Sequence, residues 1–403
     1  MVMVHDVVSP PVAARYYAYA MLGAYQIVAQ NNPQVPQLAS FIKVFSAEKI
    51  TVPAKNYDYR IAAIYCILET GKNMLPSGVS LQDDENLYVA QLQKNKISQP
   101  VIDQSIAVAQ QVSAQIVNFS KADNYSKLSA KLRYTPKKGD AYWYPTPPAY
   151  LDAIEPNWKT IRPMVIDSAG QFKPAPPVKF SKDPESAFFK LAKEVMDVSK
   201  KPTQEQLHVA AFWDCNPFAV TTSGHMAIGY KKISPGGHWM NIAALAVKKL
   251  NLNFDQSIQT VALESLTLMD VFISCWDEKY HSNRIRPETY INKYIDINWK
   301  PFLQTPPFPE YTSGHSVVSS SSAEILTYLL GDFAYTDDTE IPYGVESRKF
   351  TSFNQAAAEA MISRLWGGIH FRDSIEEGGK EGREVAQNII EKIKKAGIKP
   401  FRK

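Results

Sequence analysis

The chain has 403 residues and a mass of 45.2 kDa, long enough for two domains or one large helical one. With 45% hydrophobic and 21% charged residues it has the composition of a soluble globule with a substantial core. A net charge of +4, from 44 basic against 40 acidic side chains, leaves no field directed at nucleic acid or an acidic membrane. The three cysteines, Cys66, Cys215 and Cys275, are too few and too scattered for a disulfide framework or a zinc knuckle. Each lies in or beside an apolar run and reads as a buried thiol.

Ser9, Pro10 and Pro11 open the first helix, expected over 12–30. Arg15, Tyr16, Tyr17, Tyr19 and Gln26 interrupt its apolar run, which is also short for a bilayer crossing, so a buried helix is expected and no membrane span. The preceding residues, Met1 to Asp6, lack the basic region and cleavage pattern of a signal peptide. Periplasmic or secreted residence with the leader already removed is expected, with the cytoplasm as the alternative. Helices follow over 58–69, stopping at Gly71, then over 81–94 and 101–118. In the last of these Ile102, Ile106, Ala109 and Ile116 share a face.

From 134 to 179 the texture changes. Pro136, Pro145, Pro147, Pro148, Pro156 and Pro163 break any long helix, while Tyr142, Trp143, Tyr144, Tyr150 and Trp158 give the segment material to bury. A packed loop is expected, closing an N-terminal helical layer (1–180) and leading into a C-terminal bundle (181–403). Helices resume over 184–198 and after Thr203, whose Gln206 completes a capping-box pattern. That helix ends at Phe212-Trp213-Asp214. Further helices are expected over 239–250, 255–276 and 316–330, then one capped by Ser352 with Gln355, and a last one over 374–396 ending at Gly397. The polar stretch 332–350 has room for a short hairpin. No strand pattern competes for length, so the fold class is all-α, helical bundles with an anion pocket in the C-terminal one.

Three short pieces carry the chemistry. They are Lys279 through Arg286-Pro287, then Thr312-Ser313-Gly314-His315, then Ser363-Arg364 through His370. Pro287 is expected to end the helix directly after Arg286 and so fix where its guanidinium points. Gly314 lets backbone approach a ligand, and the helix after it directs unpaired amides and a positive dipole end at the same spot. Gly367 and Gly368 break the chain between Arg364 and His370, so that His370 can turn back to the pocket. Two arginines, a lysine, a hydroxyl beside a glycine amide and two imidazoles suit a tetrahedral oxyanion. Thr222-Ser223-Gly224-His225 matches the middle piece but lacks its companions, and is not expected to form a second site.

The three pieces resemble the signature of the type 2 phosphatidic acid phosphatase and vanadium haloperoxidase superfamily. That signature is Lys, six residues, Arg-Pro; then Pro-Ser-Gly-His; then Ser-Arg, five residues, His. Within it the chain looks most similar to the bacterial vanadium-dependent haloperoxidases, in its length, in the block from Phe212 to Trp239, and in Trp276 three residues before the lysine. The resemblance implies that Lys279, Arg286, Ser313, Gly314 and Arg364 hold vanadate, or phosphate in the same place. His370 is then the axial vanadium ligand and His315 the proton carrier opposite. The implied reactants are hydrogen peroxide and a halide, giving hypohalous acid, with small organic acceptors possible; the resemblance leaves oligomeric state open.

Two departures stand out. Thr312 replaces the usual proline, and the aspartate that phosphatases place four residues after the last histidine is Ser374 here, with Asp373 one residue early. One residue turns a helical side chain by about 100°, which favours axial vanadate binding over phosphohistidine chemistry. An acid phosphatase with His370 as nucleophile is the first alternative, and a non-catalytic oxyanion-binding protein the second. Asp214 is expected to pair with a pocket arginine, Arg364 in the first place, or else to cap its helix. Trp276, Asp277 and Phe308 are expected to line the halide side. Phe308 stands where chloroperoxidases of the family carry phenylalanine, while the negative charge of Asp277 would temper Lys279. The expected order of halides is iodide, bromide, chloride.

Overall fold

The computed structural model describes residues 2–46 and 56–402. Helices α1 (Val2–His5), α2 (Pro10–Asn31), α3 (Tyr59–Met74), α4 (Leu81–Lys94) and α5 (Gln99–Lys121) precede the proline-rich loop. After it come α6 (Ala187–Lys200), α7 (Gln204–Phe212), the hairpin β1 (Val220–Ser223) and β2 (Met226–Gly229), α8 (Pro235–Lys249), α9 (Phe254–Ser282) and α10 (Pro287–Tyr294). The chain closes with α11 (Gly314–Leu330), the antiparallel pair β3 (Tyr335–Asp337) and β4 (Arg348–Phe350), α12 (Phe353–Trp366) and α13 (Arg372–Lys395). The fold is all-α apart from these two small hairpins.

Several boundaries differ from expectation, each for a local reason. α3 runs through Gly71, because that glycine accommodates the next helix: a Cβ there would lie 2.9 Å from Leu81 Cδ1. α8 begins at Pro235, so Gly236 to Trp239 are its first turn, capped by Ser234 Oγ, which accepts from Gly237 N–H at 3.2 Å. Pro287 opens α10 at its first position and does not close the helix before it. α9 has already ended at Asn283, whose φ of 51° is left-handed and whose N–H reaches Lys279 O.

α9 is the axis of the molecule. A capping box between Asn253 and Gln256 starts it, and twenty of its side chains, from Ile258 to Lys279, are buried. It is long and apolar enough to cross a membrane, but 94% of that window is buried within the protein, as in a core helix. α2 covers one side of it and α11 another, with α13 packed on α11. One apolar core runs from Val8 to Ile398, so packing is continuous across the division expected near residue 180.

The proline-rich loop is packed, with Trp143 and Trp158 fully buried. Its backbone N–H groups at Met164, Val165 and Ile166 all donate to the Asp270 carboxylate on α9, at 2.7 to 2.8 Å. Burial nevertheless pushes that carboxyl up to about 6. Nearer the start of the loop, Trp143 N–H donates to Asn283 O and Ile285 N–H to Ala141 O. The loop thereby clamps the three residues between the end of α9 and Arg286.

Candidate active site

The three sequence pieces meet where the ends of α9, α11 and α12 converge. Lys279, in the last turn of α9, has no solvent exposure and donates to Pro309 O (3.1 Å), Glu310 O (3.2 Å) and Thr312 O (2.5 Å). All three ammonium protons are thus committed to the loop that leads into Ser313, and none is aimed at a ligand. Burial pulls this ammonium down to about 8. In this arrangement Lys279 pins the loop that leads into Ser313.

Arg286, the N-cap residue of α10, donates Nε–H to Phe308 O (2.9 Å) and Nη1–H to Ile369 O (2.9 Å) and His370 Nε2 (3.1 Å). Arg364, near the end of α12, donates Nε–H to Ser363 Oγ (2.9 Å) and Nη2–H to Trp213 O (2.7 Å), while its Nη1 bonds to no described residue. Burial lowers both guanidinium groups to about 10. Among the described residues none of these three buried cations has a carboxylate within ion-pair distance. Buried cations cost several kcal/mol each unless compensated, and a bound oxyanion is the compensation this arrangement fits.

Ser313 is the N-cap of α11, its Oγ accepting from Ser316 N–H at 3.4 Å. Gly314 follows in the first turn. A Cβ there would meet Trp276 and Lys279 only at ordinary contact distances of 3.7 and 3.9 Å, so the protein's own packing does not demand glycine. What the missing side chain keeps clear is the cavity that Gly314 lines. Thr312, in the proline position, donates its hydroxyl to Glu381 Oε2 at 2.6 Å.

His370 is oriented by Glu310, a residue none of the three sequence pieces contains. Glu310 Oε1 lies 2.9 Å from His370 Nδ1 and accepts Phe371 N–H at 3.0 Å, while Oε2 faces Arg284 at 3.3 Å. The proton therefore sits on Nδ1 and the lone pair on Nε2. Asp373, one position early, turns away to Arg284 at 2.9 Å, and Ser374 Oγ is 3.3 Å from His370 Nδ1. The carboxylate partner absent after His370 thus arrives from another segment. Its signal was an acidic residue three positions before Ser313, in a stretch otherwise apolar.

One cavity is lined by Gly314, His315, Arg364 and His370, with Trp276, Phe308 and Asp214 among its walls. The Trp276 and Phe308 rings lie 5.1 Å apart. His315 Nε2 is buried without a partner among the described residues. Burial, then Arg364 and His370, hold the His315 imidazole well below its ordinary range; burial, then Arg286 and Lys279, do the same to His370. Both rings are neutral.

Two placements depart from what the sequence leads one to expect. Asp214 pairs with Lys232 and not with Arg364, whose fork is held by the neighbouring carbonyl of Trp213; the Asp214 charge still favours the charged guanidinium. Asp277, one residue round α9 from Trp276, faces outward to Lys159 at 3.4 Å and does not line the cavity. The look-alike Thr222–His225 straddles the β1–β2 turn, with Gly224 at φ 57° and Ser223 and His225 exposed.

A helical bundle that buries two guanidinium groups, an ammonium and two neutral imidazoles around a helix N-terminus defines an oxyanion-binding protein. Residues 295–397 match the family described as the VCPO second helical-bundle domain. A solved bacterial vanadium-dependent iodoperoxidase is 44% identical, with 97% of this chain and 93% of that one covered and a TM-score of 0.89. The chain belongs to the vanadium-dependent haloperoxidases. Holo and apo structures of a bacterial vanadium-dependent chloroperoxidase share the fold at 15% and 14% identity, with TM-scores of 0.73 and 0.70. They cover 96% of this chain and 93% and 95% of their own. No curated protein matches the chain.

Proposed function

We propose that the chain holds vanadate in this cavity and oxidises iodide, and bromide more weakly, with hydrogen peroxide to the hypohalous acid. The observation that carries the reading is the His370 ring, neutral and held by Glu310 with its Nε2 lone pair directed inward. Bound vanadate would supply an electron-withdrawing centre that makes peroxide electrophilic toward halide.

The chain's own residues do the rest. Arg364, through its free Nη1, and the amides opening α11 balance the negative charge of the oxyanion. His370 Nε2, held inward by the Glu310 bond to Nδ1, would be the nitrogen that holds the vanadate, and Arg286 Nη1, 3.1 Å from it, would lie beside the anion. Lys279 acts at one remove, fixing the loop of Pro309 to Thr312 and thereby Ser313. His315, neutral and with Nε2 unpaired, is placed to take a proton from peroxide and return it to the departing oxygen. Trp276 and Phe308 give an apolar wall, which costs the large, weakly hydrated iodide least to enter. The ranking of halides rests on that desolvation and on the iodoperoxidase relative, since Asp277 lies outside the cavity.

The test is steady-state oxidation of iodide, bromide and chloride by vanadate-loaded protein, with His370→Ala as control. Chloride turnover equal to iodide would overturn the ranking, and full activity in His370→Ala would overturn the site. The Glu310–His370 pair would also suit a histidine nucleophile, so hydrolysis of an aryl phosphate is the second reading; its assay on the vanadate-free protein separates the two.

A further inference from the structure

Behind the cavity wall, a second group of side chains converges on one point. Cys215 follows α7, His238 lies in the first turn of α8, and Glu340 stands in the loop between β3 and β4. All three are buried. Cys215 Sγ is 3.4 Å from His238 Nδ1, Glu340 Oε1 is 3.1 Å from the same nitrogen, and the sulfur and carboxylate oxygen are 3.9 Å apart. The other ring nitrogen, Nε2, lies 2.8 Å from Asp337 Oδ2, a fully buried carboxylate that also accepts Thr339 N–H. The ring stacks on Trp213 at 4.6 Å.

With Nε2–H donated to Asp337, Nδ1 faces a sulfur and a carboxylate oxygen. Burial opposes a charge on the ring, but Asp337 and Cys215 hold the imidazole well above its ordinary range, so without an ion a proton on Nδ1 fills the place a cation would take. Three electron-rich atoms so close repel one another unless a proton or a cation lies among them. Zinc bonds of about 2.3 Å to sulfur and about 2.0–2.1 Å to nitrogen and oxygen, at tetrahedral angles, give edges of about 3.6 Å for S···N, 3.4 Å for N···O and 3.6 Å for S···O. The observed edges of 3.4, 3.1 and 3.9 Å differ from these by about 0.3 Å or less. A thiolate, an imidazole and one carboxylate suit zinc and its neighbours and not the oxygen-seeking calcium or magnesium. The Asp337–His238 bond is the outer carboxylate that zinc-binding histidines commonly have.

We propose that Cys215, His238 and Glu340 bind one divalent ion of the zinc class, with a solvent molecule as fourth ligand. His238 and Glu340 lie 23 and 125 residues after Cys215, which is why no short spacing motif announces the three. The ion ties the β3–β4 hairpin to the α7–α8 connection. Cys215 and Asp214 line the oxyanion cavity, and Trp213, stacked on His238, gives its carbonyl to Arg364. The ion therefore braces one wall of the active site without reaching into it.

The test uses the full chain free of vanadate, so that its outcome is independent of halide oxidation. Dialysis against Zn²⁺ followed by elemental analysis should find one retained zinc per chain, and loading with Co²⁺ should give a thiolate-to-cobalt charge-transfer band with tetrahedral visible bands. Cys215→Ser should abolish the charge-transfer band, and Glu340→Gln should weaken zinc retention at least tenfold. Absence of both stoichiometric zinc and the cobalt band in the wild-type protein would overturn the proposal and leave a hydrogen-bonded imidazolium in its place. Unchanged retention in the Cys215→Ser, Glu340→Gln double variant would overturn it too. If the variants fail to fold, the wild-type cobalt spectrum decides, because only sulfur coordination produces that band.

Discussion

Replacing Glu310 by glutamine is the sharpest perturbation of the site that leaves its volume unchanged. The glutamine carbonyl can still accept from His370 Nδ1 and Phe371 N, both of which now use Glu310 Oε1. What disappears is the negative charge behind the imidazole, and an amide N–H₂ then opposes Arg284 where Oε2 stood at 3.3 Å. Removing the outer partner of a ligating histidine weakens ligand affinity about 10- to 100-fold, or about 1.4 to 2.7 kcal/mol. Arg284 keeps Asp373 at 2.9 Å, so the stability cost should stay below the roughly 3–5 kcal/mol of an orphaned buried charge. Calorimetric titration of the vanadate-free variant with vanadate, beside a thermal melt, measures both. Vanadate affinity within about twofold of wild type, in a folded variant, would refute the role assigned to Glu310.

Phosphate shares the charge and shape of vanadate and should inhibit competitively; vanadate-dependent activity indifferent to excess phosphate would count against the shared cavity. His315 is held well below its ordinary range, so the unfolded chain takes up a proton near pH 6.5 that the folded chain refuses, and this contribution lowers stability as pH falls below about 6.5. His315→Gln should therefore shallow the acid-side loss by up to about 1.4 kcal/mol per pH unit, and melting curves parallel to wild type would exclude it. Phe308→Ala removes the ring facing Trp276 and should raise the KM for iodide more than that for bromide, read from paired halide kinetics. Asp277→Asn should leave the order of halides unchanged and cost no more than about 1 kcal/mol, because its carboxylate pairs outside the cavity with the half-exposed Lys159.

Much of this was legible in the sequence because it is local. Caps at Thr203 and Ser352, proline at helix starts and apolar faces at helical spacing place most helices within a few residues, and the three sequence pieces meet at one cavity. The misses are tertiary. Gly71 looks like a stop only until Leu81 is seen against it. Whether Asp214 meets Arg364 or Lys232, and whether Asp277 faces inward, depends on helix rotations that periodicity does not resolve for a single charged residue. Glu310 stands out in the sequence only as an acidic residue in an apolar stretch; its partnership with His370 is hidden because 60 residues separate them and a loop makes the contact. Lys279 was recognised as a cation of the site, but the three carbonyls that hold it belong to a turn whose shape no motif specifies.

Two glycines of α13 set how close that helix comes to α11. A Cβ on Gly382 would stand 2.2 Å from Val317 O, and one on Gly378 would stand 3.0 Å from Ser313 O. The turn that presents Gly314 and His315 is therefore positioned by residues more than 60 places later that lie outside the cavity lining. At these two points the chain has a margin smaller than one methyl group. Random mutation that spares every residue of the cavity can still abolish anion binding by wedging the two helices apart there. In a library selected for new halide or acceptor preference, Gly378 and Gly382 should stay fixed while Trp276 and Phe308 vary.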